Sequence, residues 1–150
     1  MTAHDLLLFE DEHTPERDIA AAREFAERYL QAEHGSQERA SMATALTVLL
    51  DDPSRAIRKA ISKTLASSAY APAHVVRSLA SDIDEVAIPI LRESPILTDA
   101  ELVDLLAQGS EAVQCAIAGR AGLPASISAA ICEVASERAC QFLLDNASAE

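Results

Sequence analysis

The chain has 150 residues, a formal net charge of −12 and 49% hydrophobic residues, yet only 3% aromatics and no tryptophan. That apolar content excludes a disordered chain, and the length suits one domain with its own core. No apolar run reaches the roughly 18 residues of a membrane span, and the start lacks a basic cluster and meets an acid at Asp5, which argues against a signal peptide. A cytoplasmic location is therefore expected.

Residues 1–13 read as a tail or docking arm: the apolar patch Leu6–Phe9, then Glu10, Asp11 and Glu12. Residues 14–150 read as a single helical domain. Thr14 and Pro15 form a helix start, the first as a cap and the second in a turn where its missing N–H costs nothing. That helix is expected to reach about Glu33, with Ile19, Ala22, Ala26 and Leu30 as its apolar stripe and Phe25 and Tyr29 flanking it. Gly35 and Ser36 break it. A second helix follows, with Met42, Leu46, Leu49 and Leu50 on one face, and Asp52-Pro53 ends it.

From Arg55 onward the chain repeats. Residues 85–110 and 111–136 align over 26 positions: Glu85 with Glu111, Ala87 with Val113, Leu91 with Ile117, Leu97 with Leu123, Ser110 with Ser136. An earlier unit, 55–84, holds about four extra residues near Ser67–Ala69, and a half unit, 137–150, ends the chain. In the second half of each unit the register fails, because Leu102 faces Ser128; a one-residue slip would restore the apolar face. Each unit reads as two short helices. Pro89 predicts a kink in one of them, or a start nearer the proline. Thr98 and Glu101 have capping-box spacing. Helices of ten residues are marginal alone and persist when neighbours cover their apolar faces, which is the logic of an α-solenoid. The expected fold is all-α: two N-terminal helices, then a short stack of HEAT-like two-helix repeats. Leu91 and Ile117 are expected core positions.

Leu50-Asp51-Asp52-Pro53-Ser54, the run Pro72 to Ala80, Ser94-Pro95-Ile96-Leu97-Thr98, Gly109-Ser110-Glu111-Ala112 and the run Leu143 to Ala149 carry a resemblance to a bacterial family, domain of unknown function 2336. The similarity runs from Leu49 to Ala149, about two-thirds of the chain. It implies a HEAT-type helical repeat, and it brings no catalytic residues, because the family has no established activity. Gly119-Arg120-Ala121-Gly122 stands where members usually show Arg-Arg-Pro, which implies a looser turn. Many members are longer, so the last helix is either a terminal cap or half of a repeat; an apolar face around Phe142 and Leu143 would mark the second case.

No catalytic motif, cofactor fingerprint or paired metal-ligand spacing is present, so no catalytic, cofactor-binding or metal residues are assigned. Cys115, Cys132 and Cys140 form no C-x-x-C pair and read as buried apolar thiols. Charge is more informative. Residues 1–52 carry net −8, residues 53–84 net +3 and residues 85–150 net −7. Within the basic island, Arg55, Lys59 and Lys63 are spaced four apart on one helical stripe, Arg58 lies beside them, and Arg77 follows on the next helix. The plain reading is a solvated face pairing with the acidic N-terminal helices. The functional reading is a docking patch for an acidic protein partner. The expected function is non-catalytic protein binding. Nucleic-acid binding is the first alternative, disfavoured because a strongly negative chain repels phosphate. An enzyme with an unrecognised site is the second.

Overall fold

The computed structural model describes residues 15–150, and every regular element among them is an α-helix. The docking arm 1–13 and the Thr14 cap lie outside the described residues. In chain order the helices are α1 (Pro15–Gln31), α2 (Gln37–Leu49), α3 (Arg55–Leu65), α4 (Ala73–Ala80), α5 (Asp84–Glu93), α6 (Asp99–Gln108), α7 (Glu111–Ala118), α8 (Ala125–Val134) and α9 (Glu137–Asp145). No described helix is long and apolar enough to cross a membrane.

Local chemistry explains most helix starts. Ser36, Ser54, Ser110 and Ser136 each accept a hydrogen bond from the backbone N–H three residues on, satisfying a donor that the first turn leaves unpaired. Thr98 and Glu101 close a reciprocal capping box at the start of α6. Pro72 and Pro124 hold the cap positions of α4 and α8 in extended backbone. At Gly35, φ is 77°, a left-handed conformation that favours glycine in the Glu33–Ser36 turn between α1 and α2. Gly109 meets a different constraint: a Cβ there would collide with Val113 and lie 2.6 Å from the Leu105 carbonyl, so only glycine allows the tight passage from α6 to α7.

Three local expectations are corrected. α5 does not start nearer the proline: it begins at Asp84 and runs through Pro89 to Glu93. The bond that Pro89 cannot make is to the carbonyl of Glu85, in the exposed first turn, where water can take its place. On α1, Tyr29 joins Ala22 and Ala26 as the buried face, while Leu30 is half-buried. On α2, Leu46 and Arg39 are the buried residues, while Met42 and Leu49, and Leu50 just past the helix, are only partly buried. The Arg39 guanidinium stacks 4.1 Å from the Tyr29 ring centre and donates to the carbonyls of Tyr29, Ala32 and Tyr70.

The odd-numbered helices contact one another in succession, α1 on α3, α3 on α5, α5 on α7 and α7 on α9. Even-numbered helices lie against them, α2 on α1, α4 on α5, α6 on α7 and α8 on α9. One continuous core runs through the contacts, with Leu46, Ile61, Leu79, Leu91, Ile117 and Ile131 all fully buried in it. Among the even-numbered helices only α6 and α8 pack substantially on each other.

In α8 the buried residues are Ile127 and Ile131, which follow the buried Leu102 and Leu106 of α6 by 25 residues rather than 26. One residue is about 100° of helix rotation. That rotation turns Cys132 to the exterior, so of the three cysteines only Cys115 is buried, Cys140 is half-buried and Cys132 is exposed. The expectation of three buried thiols is corrected accordingly.

Candidate binding surface

The basic island is engaged with the chain's own acids. Arg58 donates through Nε and Nη2 to the two carboxylate oxygens of Asp82, at 2.7 and 3.1 Å, and through Nη1 to the Asp52 carbonyl. The side chains of this pair are 14% and 17% exposed, so most of the pair is withdrawn from water. The hydrogen bond from Arg58 holds the Asp82 carboxyl below its ordinary pKa, and the same bond raises that of Arg58. Lys59 meets Glu85 at 3.0 Å, and Arg55 approaches the same carboxylate at 3.9 Å. Lys63 adds a longer-range attraction to it, and together these cations lower the Glu85 pKa, the Lys59 hydrogen bond first. Arg77 donates to Glu101 at 2.5 Å. The partners are thus Asp82, Glu85 and Glu101, 24 to 30 residues downstream in sequence, rather than acids of α1 and α2.

The same spacing organises uncharged contacts. Arg120 donates to the carbonyls of Leu91 and Ser94, at 2.6 Å each, closing the C-terminal end of α5. Asn146, 26 residues later, donates to the carbonyls of Ala118 and Arg120 and closes α7 in the same way. The loosened turn expected at Gly119–Gly122 is therefore corrected: Arg120 anchors it. Burial draws the Arg120 pKa down, with Asp99 opposing.

Beside Arg77 the surface opens. The weak meeting of α4 and α6 leaves two adjoining cavities of about 260 Å³ each, which share Ala80, Ser81, Leu105 and Gln108. Leu97 and Ala80 are buried beneath them and Leu105 is half-buried. On α6 the residues facing this groove, Glu101, Asp104, Leu105 and Gln108, follow the three- and four-residue spacing of one helix face. Glu101 is held in place on both sides: Thr98 donates to it from N–H and hydroxyl, and Arg77 from across the groove. These bonds, that of the Thr98 N–H first, keep the Glu101 carboxyl below its ordinary pKa. Asp84 accepts from Ser110 at 2.7 Å, whereas Asp104 has no ion-pair or hydrogen-bond partner among the described residues.

At the end of α9, Phe142 is 39% and Leu144 80% exposed, while Leu143 packs against the core. Phe142 borders a wider cavity of about 510 Å³ with Arg92, Cys115 and Asn146. Burial raises the Cys115 thiol above its ordinary pKa, the opposite of what a nucleophilic thiolate requires. Among the described residues no group of three or more His, Cys, Asp and Glu side chains is placed to hold a metal.

Of the five island residues, only Arg77 lines the groove. Asp104 and Leu105 are residues that reading the sequence does not single out, and it takes Arg120 only as part of a loosened turn. Glu101 and Asp104 on one face of α6 are visible in the sequence as an acidic stripe, but no local signal says that α4 stands away from it.

Residues 86–150 match the family described as Uncharacterised protein conserved in bacteria (DUF2336). The match covers the C-terminal part of the span expected from the resemblance and does not extend to residues 49–85. No curated protein and no solved structure matches the chain significantly.

Proposed function

We propose that the chain is a non-catalytic protein-binding module of the bacterial cytoplasm, built as a short HEAT-like stack of two-helix units. The successive contacts of α1, α3, α5, α7 and α9 support the stack, as do the caps Pro72, Thr98 and Pro124 at intervals of 26 residues. The observation that carries the binding reading is the gap between α4 and α6. It leaves a preformed groove with an apolar floor at Leu97 and a polar rim, the composition expected where a partner segment docks with little rearrangement.

Docking of an acidic partner on the basic island keeps less support. Arg58, Lys59 and Arg77 already bond carboxylates of the chain, and Arg55, 70% exposed, reaches Glu85 only at 3.9 Å, so Arg55 and Lys63 are the outward cations. A pull-down from native bacterial lysate separates the two surfaces. The parent is compared with Leu105→Arg, which fills the groove, and with the double change Arg55→Glu and Lys63→Glu, which spares the Arg58–Asp82 pair. A protein captured by the parent and the double variant, but lost from folded Leu105→Arg, is the expected result. Loss from the double variant alone would return the site to the island. Equal capture by all three would remove both surfaces from consideration.

A further inference from the structure

The groove between α4 and α6 combines two properties that point to the chemistry of its occupant. Its floor is aliphatic: Leu97 and Ala80 beneath, Leu105 on the wall. Its rim is acidic. One arginine, Arg77, faces four carboxylates along the two adjoining cavities, Asp82, Asp84, Glu101 and Asp104. Arg77 is spent on Glu101, and Asp82 is spent on Arg58. Asp84 at one end, held only by the neutral Ser110 hydroxyl, and Asp104 at the other therefore remain without a cationic partner among the described residues.

We propose that this groove receives a short basic–apolar peptide segment, one aliphatic side chain seated against Leu97 and Leu105 and flanking lysine or arginine side chains reaching Asp84 and Asp104. Each part follows from the surface. An aliphatic side chain gains by covering half-exposed Leu105 and the Leu97 floor. A cation beside Asp104 gains a charge-assisted hydrogen bond without displacing an existing one. The net charge of −12 attracts a basic segment at long range, and fixed carboxylates then set its orientation. An acidic segment would meet the same carboxylates as like charges. This inference rests on the groove being the binding surface, and it adds the sign and the chemistry of what is bound.

The test uses the full chain and a fluorescein-labelled peptide, Lys-Leu-Leu-Lys-Lys-Leu, with a counterpart in which each lysine is glutamate. Binding is read by fluorescence anisotropy near physiological salt, at about 0.15 M, where weak surface attraction is screened. The groove variant is Asp104→Lys. Its control is Glu133→Lys at an exposed position of α8, the same change in charge away from the groove. Circular dichroism verifies that both variants keep their helices. The expected result is binding of the basic peptide only, weakened by about tenfold in Asp104→Lys and by less than about twofold in Glu133→Lys, as for a directed rather than diffuse charge contact. Equal weakening in both variants would overturn the inference by reducing the binding to general attraction. Binding of the glutamate peptide, abolished by Leu105→Arg, would overturn the basic chemistry while keeping the groove. Binding of neither peptide would also overturn it, and the lysate comparison would then decide the groove on its own.

Discussion

The guanidinium of Arg120 and the carboxamide of Asn146 do the same work 26 residues apart, each donating to two carbonyls at the end of a preceding helix. Helix ends leave such carbonyls unpaired, and a half-buried one without a partner carries its desolvation cost in full. Arg120→Met keeps the bulk and removes the donors. It is expected to destabilise the chain by about 1–2 kcal/mol in urea unfolding; a loss near zero would mean that water replaces the guanidinium. The Arg58–Asp82 pair makes a pH prediction. Asp82 has its folded pKa lowered below the ordinary 3.8. Its contribution is therefore complete above that value and is lost as pH falls through the lower folded value. Asp82→Asn should cost about 1–3 kcal/mol at neutral pH, the range for hydrogen bonds to charged groups. The gap between variant and parent should close below about pH 4. A gap that persists undiminished at pH 2 would remove the ion pair as its source. The arginine and lysine positions of the island are visible in the sequence as a stripe. Their partners are not, because Asp82, Glu85 and Glu101 reach them only after the next helix has packed.

Helix α8 decides its own orientation against the repeat. A strict 26-residue interval would place Ser128 and Cys132 where α6 has Leu102 and Leu106. The chain instead buries Ile127 and Ile131, since rotating the helix by one residue exchanges a hydroxyl and a thiol for two isoleucines in the core. The rotation leaves a trace: the Ser128 hydroxyl is buried with no hydrogen-bond partner among the described residues. Ile127→Ala should accordingly cost about 2–5 kcal/mol, whereas Ser128→Ala should be neutral or stabilising by up to about 1 kcal/mol. Thermal or urea unfolding of the two variants checks this. The reverse order would restore the uninterrupted interval. The slip is legible in the sequence as a mismatch between Leu102 and Ser128. The direction in which it resolves depends on which face α6 and α9 offer to α8.

At the scale of the described chain, the basic island of net +3 becomes a set of short contacts to α5, α6 and the loop between α4 and α5. Surface pairs of this kind contribute little each, but they reduce the outward positive potential that phosphate would need. The chain should therefore pass unretained through a double-stranded DNA column at about 0.15 M salt, where counterion release still favours true DNA-binding proteins. Retention that salt reverses would revive the nucleic-acid reading. The carboxylates along the α4–α6 groove keep their negative face, and the opposite exchanger tests it: a basic peptide, not an acidic polymer, is the ligand that this charge arrangement selects.

Helix positions and starts follow from the sequence alone, because they depend on neighbours within four residues: Ser54, Thr98, Ser110 and Ser136 cap whatever helix follows them. The all-α class follows too, from apolar residues at three- and four-residue steps from Ile19 to Leu143. Tertiary packing alone decided the rest. It bonded the buried Arg39 to the Tyr70 carbonyl, turned Cys132 outward, paired Arg58 with Asp82 and held α4 apart from α6. Each of these joins residues that the chain separates by a full helix or more, and the spacing of residues along a strand of sequence carries no information about which faces meet until the core has been filled.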